Sequence, residues 1–301
     1  MLSVCIPVYN TNVLQLASVL NSQAMKVGFP TEILLLDDAS NESVIPESVL
    51  ELSHVVVHRN QTNLGRSKTR NLLAQQAKGT HLLFLDGDSQ IIHEDFLALW
   101  WKAIRQEEKS VFYGGSVYQE SEPNARHFLR WKISVTRESL SLSQRRFSNS
   151  GFKTNNFVIE KSLADAVRFD EGLRGYGHED TLYGFELQRL GFFTHQIDNP
   201  VLNATLDDND AFLRKTENAI RNLVLIVSRE KQDKGFIQHV KLLRYYLTLR
   251  KWKLSACLTP LRKLFLGMLK QRLRIGKKPG ILLFFDIYKL LVLDQEYRRL
   301  S

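Results

Sequence analysis

The chain has 301 residues, 44% of them apolar and 24% charged, with 16 Gly and 7 Pro. That is enough apolar surface for a core, so a mostly disordered chain is excluded, and the length admits one large domain with an appendage or two modest ones. The net charge of +9 is uneven: residues 236–301 hold 15 Lys+Arg against 3 Asp+Glu, so the basic character belongs to the last fifth and points to an anionic partner there, membrane or nucleic acid.

In chain order, Leu2–Val8 is an apolar run ending at Tyr9-Asn10, and Val13, Leu16, Ala17 and Leu20 follow at helical spacing. Glu32–Leu36 is a second apolar run, ending in Asp37-Asp38, and His54–His58 is a short β-branched one. Gly65 opens a helix that runs through Ala77, and Gly79 closes it. Thr80–Leu85 is a fourth run, ending in Asp86-Gly87-Asp88; a helix over Glu94–Glu107 and a strand over Ser110–Tyr118 come next. Beyond them the expected elements are a helix over Ala125–Leu140, a mobile polar loop over Ser141–Gly151 and a strand over Asn155–Glu160. Then come a helix over Glu179–Leu190, a strand over Phe192–Ile197 and a long helix over Asn209–Arg229. Two or three basic amphipathic helices complete the pattern. In one of them Leu261, Leu264, Phe265 and Met268 share a face, with Arg262, Lys263, Lys270 and Arg274 around the other.

Alternation of this kind, with continuously apolar strands, predicts an α/β fold with a mostly parallel sheet flanked by helices. Ligands of such sheets bind beyond the carboxyl ends of the strands, where Tyr9-Asn10, Asp37-Asp38 and Asp86-Gly87-Asp88 all fall. No run approaches the eighteen or so apolar residues of a spanning helix, since Ile281–Leu293 is interrupted by Asp286 and Lys289. No basic leader precedes Leu2, and Cys5 and Cys257 form no CxxC pair, which is the cysteine usage of a reducing, cytoplasmic compartment.

Asp86 and Asp88, two residues apart at a strand end, repel one another unless a cation joins them. A hard divalent ion, Mn²⁺ or Mg²⁺, suits such oxygens and is usually shared with substrate phosphates; the competing reading is an ordinary Asp-Gly turn. An Asp at the 37–38 pair can accept the imide N–H of a uracil, or cap a turn. Arg66, Lys68 and Arg70 oppose the helix dipole at about 0.3–1 kcal/mol each and call for an anion such as a diphosphate; Lys68 also fits a solvated face. Glu179-Asp180 opens a helix after a loop with Gly175 and Gly177, as a cap or as a general base for an acceptor hydroxyl. Tyr176 suits stacking on a sugar face or plain packing.

Taken together, these stations resemble the family 2 glycosyltransferases. Ser3-Val4-Cys5-Ile6-Pro7-Val8-Tyr9-Asn10 is similar to the family's opening strand, and Leu35-Leu36-Asp37-Asp38-Ala39-Ser40 to its nucleoside-binding acidic pair. Asn63-Leu64-Gly65 and Thr69-Arg70-Asn71 resemble its next helix, and Phe84-Leu85-Asp86-Gly87-Asp88 its metal-binding DxD. Phe169-Asp170-Glu171 and Gly175-Tyr176-Gly177-His178-Glu179-Asp180 resemble an acceptor-side motif shared with galactosyltransferase-type enzymes. The resemblance covers about residues 1–205.

It implies a GT-A fold over residues 1–207, with a nucleotide-sugar half to about 118 and an acceptor half beyond, followed by a helical region over 208–301. It implies inverting transfer of a hexosyl or hexosaminyl group from a UDP-sugar to a glycan or lipid-linked glycan, as in polysaccharide biosynthesis. Pro7, Tyr9, Asp38, Arg66, Arg70 and Asp86 would bind the donor, Asp86 and Asp88 the metal, and Asn155, Asn156, Tyr176, Gly177 and His178 the acceptor side. Asp180 would be the base, with Glu179 orienting the acceptor. Asn203 stands where relatives place a metal-ligating His, and His195 and His178 are the substitutes within the chain.

The basic tail reads either as a peripheral anchor at the inner face of an anionic membrane or as a bundle that solvates its charges. A sugar nucleotidyltransferase would need a Gly-rich loop after the first strand, where Pro7-Val8-Tyr9-Asn10-Thr11-Asn12 stands. A nucleic-acid binder would need a basic groove with aromatic platforms, which the acidic N-terminal portion does not offer, so no nucleic-acid partner is expected.

Overall fold

The computed structural model describes residues 1–301 except 43, 107–110, 149–151, 174, 230–232 and 301, with backbone alone at 147, 148 and 300. The expected helix end at Glu107, the expected strand start at Ser110 and the last residues of the polar loop expected over Ser141–Gly151 lie outside the described residues.

The chain forms two compact units. One comprises Met1–Gln119, Val135–Gly172 and Glu186–Thr205; the other comprises Glu120–Ser134, Leu173–Phe185 and Leu206–Ser301. This differs from a single boundary near 207. The physical reason is that Leu129, Ile133, Leu173, Leu182 and Phe185 bury their side chains in the same core as the C-terminal helices.

In the first unit the described strands are β1 (Leu2–Val8), β2 (Thr31–Asp37), β3 (Val55–Arg59), β4 (His81–Leu85), β5 (Ser89–Ile91), β6 (Val111–Tyr113), β7 (Ser116–Tyr118), β8 (Asn156–Glu160), β9 (Thr194–Gln196) and β10 (Val201–Asn203). Seven of them form a sheet in the order β3-β2-β1-β4-β8-β6-β9, and three form a second in the order β5-β10-β7. β3, β2, β1 and β4 are mutually parallel; β8 runs antiparallel to β4 and β6. All of β2 and nearly all of β1 are buried, which is why both read as unbroken apolar runs. Val4, Ile6, Ile33, Leu35 and Leu83 pack with Leu16, Leu20 and Trp100 from helices Leu14–Lys26 and Phe96–Gln106. Because β2 and β4 flank β1 on opposite sides, the strand order switches there, and the crevice of such a switch opens at the carboxyl ends.

Two segments depart from expectation. The strand expected over Ser110–Tyr118 breaks at Gly114-Gly115, so that β6 joins the large sheet and β7 the small one. Gly115 has φ +92°, and the Arg145 guanidinium lies 2.6 Å from where its Cβ would stand. The expected polar loop contains helix Leu142–Ser148. Its buried Arg145 donates to the carbonyls of Tyr113 and Ile197 at 3.4 and 2.9 Å and to Gln196 Oε1 at 3.3 Å. A cation so engaged orders a segment that looks mobile by composition.

The second unit is helical. Helix Asn209–Arg229 matches its expected span, and four further described helices follow, Lys234–His239, Lys241–Lys251, Leu258–Ile275 and Ile281–Leu300, rather than two or three. Leu213, Ile220, Leu223, Leu243, Tyr246 and Tyr288 form the centre of its core. Asp294, fully buried there, is satisfied by Tyr246 Oη at 3.1 Å, Arg262 Nη1 at 3.1 Å and Arg298 Nε at 2.8 Å. Among the described residues no helix is long and apolar enough to cross a membrane.

Candidate active site

The carboxyl ends of β1 to β4 bring three polar stations together in the first unit. Asp37, at the end of β2, accepts from Ser40 Oγ at 2.6 Å and Ser40 N at 2.9 Å, and faces Arg59 Nε at 3.3 Å. Asn10, at φ +51°, donates its N–H to Ser40 Oγ at 2.8 Å and accepts from Asn41 N at 2.9 Å, which ties the loop after β1 to the loop after β2. Tyr9 projects from this knot and is 48% exposed, so its ring is open to a ligand. Pro7 lies just inside, with its carbonyl oxygen 3.2 Å from where a Cβ on Gly87 would stand.

Asp38 differs from a carboxylate held open for a base. It is buried, and it accepts from Asn60 Nδ2, Leu64 N and Gly65 N, each at 2.8 Å. A carboxylate has about four acceptor sites, so most of this one organises the loop ahead of helix Arg66–Gln76. The anion that the cationic first turn calls for is therefore in part the chain's own.

Arg70 is engaged within the chain. It is 1% exposed, and its Nη2 donates to Asp86 Oδ1 at 2.7 Å while its guanidinium lies 5.6 Å from the Phe169 ring centre. Asp86, just past the end of β4, is a partner that it holds in place. Lys68 is exposed, in keeping with a solvated role, and Arg66 is exposed with its charge felt at Asp88.

Asp86-Gly87-Asp88 links β4 to β5. Asp86 N donates to Asn155 O at 3.3 Å, and Asp88 Oδ2 accepts from Thr205 Oγ1 at 2.8 Å. Burial, and then the charge of Asp86, push the Asp88 carboxyl above the usual range. Strand β10 pairs antiparallel with β5 so that Asn203 stands opposite Ser89, one residue beyond Asp88. The register thus sets the backbone of Asn203 next to the acidic turn. His195 does not share that register: it lies on β9, with its ring 5.7 Å from that of Phe112.

Among the described residues no three His, Cys, Asp or Glu side chains converge to hold a metal ion. The donors that the structure places at the turn are the two carboxylates and the Thr205 hydroxyl. A hard divalent cation fits them in the manner of ions held by one or two carboxylates and completed by substrate phosphates. The raised affinity of Asp88 for a proton is the same electrostatic demand that a cation would meet.

Asn155 and Asn156 separate in role. Asn156 is fully buried, and its Nδ2 donates to Gly115 O at 2.9 Å and Asn199 O at 2.8 Å, so it braces the chain rather than facing a sugar. Asn155 is only partly buried, beside Asp86.

The acceptor-side motif belongs to the second unit. The Tyr176 ring is faced by Lys215 Nζ at 5.3 Å, and Lys215 pairs with Asp207 at 2.7 Å. Gly177 has φ +103°, accepts from Asn222 Nδ2 at 3.0 Å, and has Ala219 Cβ 2.3 Å from where its own Cβ would be, so only glycine fits. His178, at φ +67°, has its imidazole pushed down to about 4 by burial, against a smaller pull from Glu179. It is neutral at physiological pH and a hydrogen-bonding partner of Thr181 Oγ1 at 3.2 Å. Glu179 turns back to accept from Gly177 N at 2.9 Å and is buried, while Asp180 is partly exposed and accepts from Thr181 N at 2.7 Å.

Sequence reasoning did not single out Thr205, Asn60 or Arg145. Asn60 follows a strand end and was open to the same reasoning as Asp38; Thr205 and Arg145 carry no local signal.

Comparison with known proteins places the chain in a family and a fold. The family model described as glycosyl transferase family 2 matches residues 3–170. A Haemophilus influenzae protein described as an uncharacterized glycosyltransferase is 36% identical over 94 residues, which are 31% of this chain and 31% of that protein. Among solved structures, mannosyltransferase PcManGT from Pyrobaculum calidifontis, in complex with GDP-Man and Mn²⁺, is 14% identical with a TM-score of 0.59, over 98% of this chain and 85% of that one. S. aureus TarS is 17% identical with a TM-score of 0.52, over 99% of this chain and 54% of that one. GalNAc-T7 with UDP, GalNAc and Mn²⁺ is 20% identical with a TM-score of 0.50, over 69% of this chain and 43% of that one. At these identities the structural likeness shows the fold, which is GT-A. With a matching family model over more than half its length, the chain belongs to glycosyl transferase family 2.

Proposed function

We propose that the protein is an inverting glycosyltransferase that moves a sugar from a nucleotide diphosphate donor, UDP-linked, to a hydroxyl of a glycan or lipid-linked glycan. The observation that carries this reading is the Asp86-Gly87-Asp88 turn at the strand ends of a family 2 chain, with Arg70 holding one acid and Thr205 the other.

The nucleoside is assigned to the exposed Tyr9, Pro7 and the remaining acceptor capacity of Asp38. Arg66 approaches the diphosphate as a cation. Asp88, with Asp86 and Asn203 beside it, is the seat for a divalent ion. When bound, Mn²⁺ or Mg²⁺ neutralises charge developing on the departing diphosphate. Asp180 takes the proton of the acceptor hydroxyl. The acceptor oxygen forms the new bond to the anomeric carbon from the face opposite the leaving group. The old bond to the diphosphate oxygen breaks, and the nucleoside diphosphate carries away the electron pair. Glu179 and the neutral His178 hold the Tyr176-Gly177 loop in shape, and Tyr176 and Asn155 are assigned to sugar contacts. The basic C-terminal segment is assigned to an anionic membrane surface near a lipid-linked acceptor.

A thermal-shift screen of nucleotides with and without Mn²⁺ tests the donor side. UDP with Mn²⁺ is expected to raise the melting temperature of the wild type and to leave Asp88→Asn unmoved. If no nucleotide shifts the wild type under either condition, the reading is wrong.

A further inference from the structure

Helix Leu258–Ile275 of the second unit buries one apolar face and exposes another. Leu258, Leu269 and Leu273 are buried in the unit's core, so the inward side is already packed. Leu261, Leu264, Phe265 and Met268 are spaced i, i+3, i+4 and i+7 along the other side, and all four are exposed, Leu264 at 72%. A water-facing helix of a globular protein carries one apolar stripe; a second, turned outward, marks a surface that something covers. The turn just ahead of the helix also exposes apolar side chains. Trp252, 66% exposed, and Leu254 flank Lys253, whose φ of +62° holds the turn.

Charge indicates what covers the face. Between Asp233 and Asp286 the chain has 13 Lys+Arg and no Asp or Glu. Some of these cations are used within the unit, Arg262 by Asp294, Lys270 by Glu217 and Arg274 by Asp210. Lys251, Lys253 and Lys263 are exposed. A second copy of this chain would set the same cations against one another, at an electrostatic cost. An anionic lipid surface satisfies both halves of the pattern, because apolar and aromatic side chains enter the headgroup–acyl boundary while lysine stems reach back to phosphates.

We infer that this face docks the protein on an anionic phospholipid bilayer. Trp252, Leu261, Leu264, Phe265 and Met268 insert shallowly, and Lys251 and Lys253, beside Trp252, contact headgroup phosphates. The inference rests on the membrane assignment of the proposed function and narrows it to one face; it does not depend on the donor-site assignments.

Flotation of the full chain with phosphatidylcholine vesicles, with and without phosphatidylglycerol, tests it. The wild type is expected to float with the anionic vesicles and to stay down with the neutral ones. The double variant Leu264→Glu, Met268→Glu is expected to lose about tenfold or more of the bound fraction. Both changes are at exposed positions, so the melting temperature and its shift with UDP and Mn²⁺ should be those of the wild type, and an intact shift separates failure of docking from failure of the donor reading. The inference is overturned if the wild type ignores anionic vesicles, binds neutral ones equally, or floats no better than the variant. A concentration-dependent dimer that the variant abolishes, without vesicle binding, would assign the face to a second copy instead.

Discussion

Arg70 shows how the partner of a single side chain can stay hidden in a sequence. A cation in the first turns of a helix needs an anion, and the sequence offers no way to tell a substrate phosphate from a carboxylate sixteen residues on. The fold supplies Asp86, and the pair is inside, with the Arg70 side chain 1% and that of Asp86 21% exposed. Arg70→Met is therefore expected to leave Asp86 unpaired and to cost about 2–4 kcal/mol, less than a fully buried pair because Asp86 keeps some water. Urea unfolding of wild type, Arg70→Met and Arg70→Lys checks this. Arg70→Lys should recover part of the loss, and equal midpoints for all three would show the pair to be inert. Asp38 follows the same logic: residue type and position at the end of β2 were readable, but its three donors come from residues 60–65 and became visible only with the chain folded.

Among the elements, β1, β2 and β4 were readable because strands buried on both faces leave long apolar runs, and β3, which is half-exposed, was readable from its β-branched residues. β5 and β10 were not, because three residues are too few for a period-two pattern, and yet their pairing sets Asn203 beside the acidic turn. The helix Leu142–Ser148 was hidden by its polar composition and is held by buried Arg145. Nor did the apolar run at 156–160 disclose its direction; β8 is antiparallel, and its first residue, Asn156, braces Gly115 and Asn199 from inside. Asn156→Ala removes the donor to two buried carbonyls and leaves a small cavity, so a loss of about 2–4 kcal/mol is expected. A thermal melt reads it, and an unchanged melting temperature with altered acceptor kinetics would return Asn156 to a ligand role.

At the scale of the whole molecule, the ordered set of strand-end polar residues made the family recognisable, whereas the division into units was not readable. Segments 120–134 and 173–185 carry apolar residues whose partners lie in the C-terminal helices, and nothing local in the sequence connects them. The second unit thereby holds both the Tyr176–Asp180 motif and the basic helices, while the first holds the Asp86–Asp88 turn. On the proposed roles, donor binding and acceptor deprotonation are expected to be separable by mutation. The most direct measurement is release of nucleoside diphosphate from UDP-sugars in the presence of Mn²⁺ and an acceptor mixture, run beside the thermal shift for wild type, Asp88→Asn and Asp180→Asn. Asp88→Asn is expected to lose both the shift and turnover. Asp180→Asn is expected to keep the shift and to lose turnover by about 10²- to 10⁴-fold. Wild-type turnover in Asp180→Asn, or in Asp88→Asn, would contradict the assignment of a transferase built on these two carboxylates.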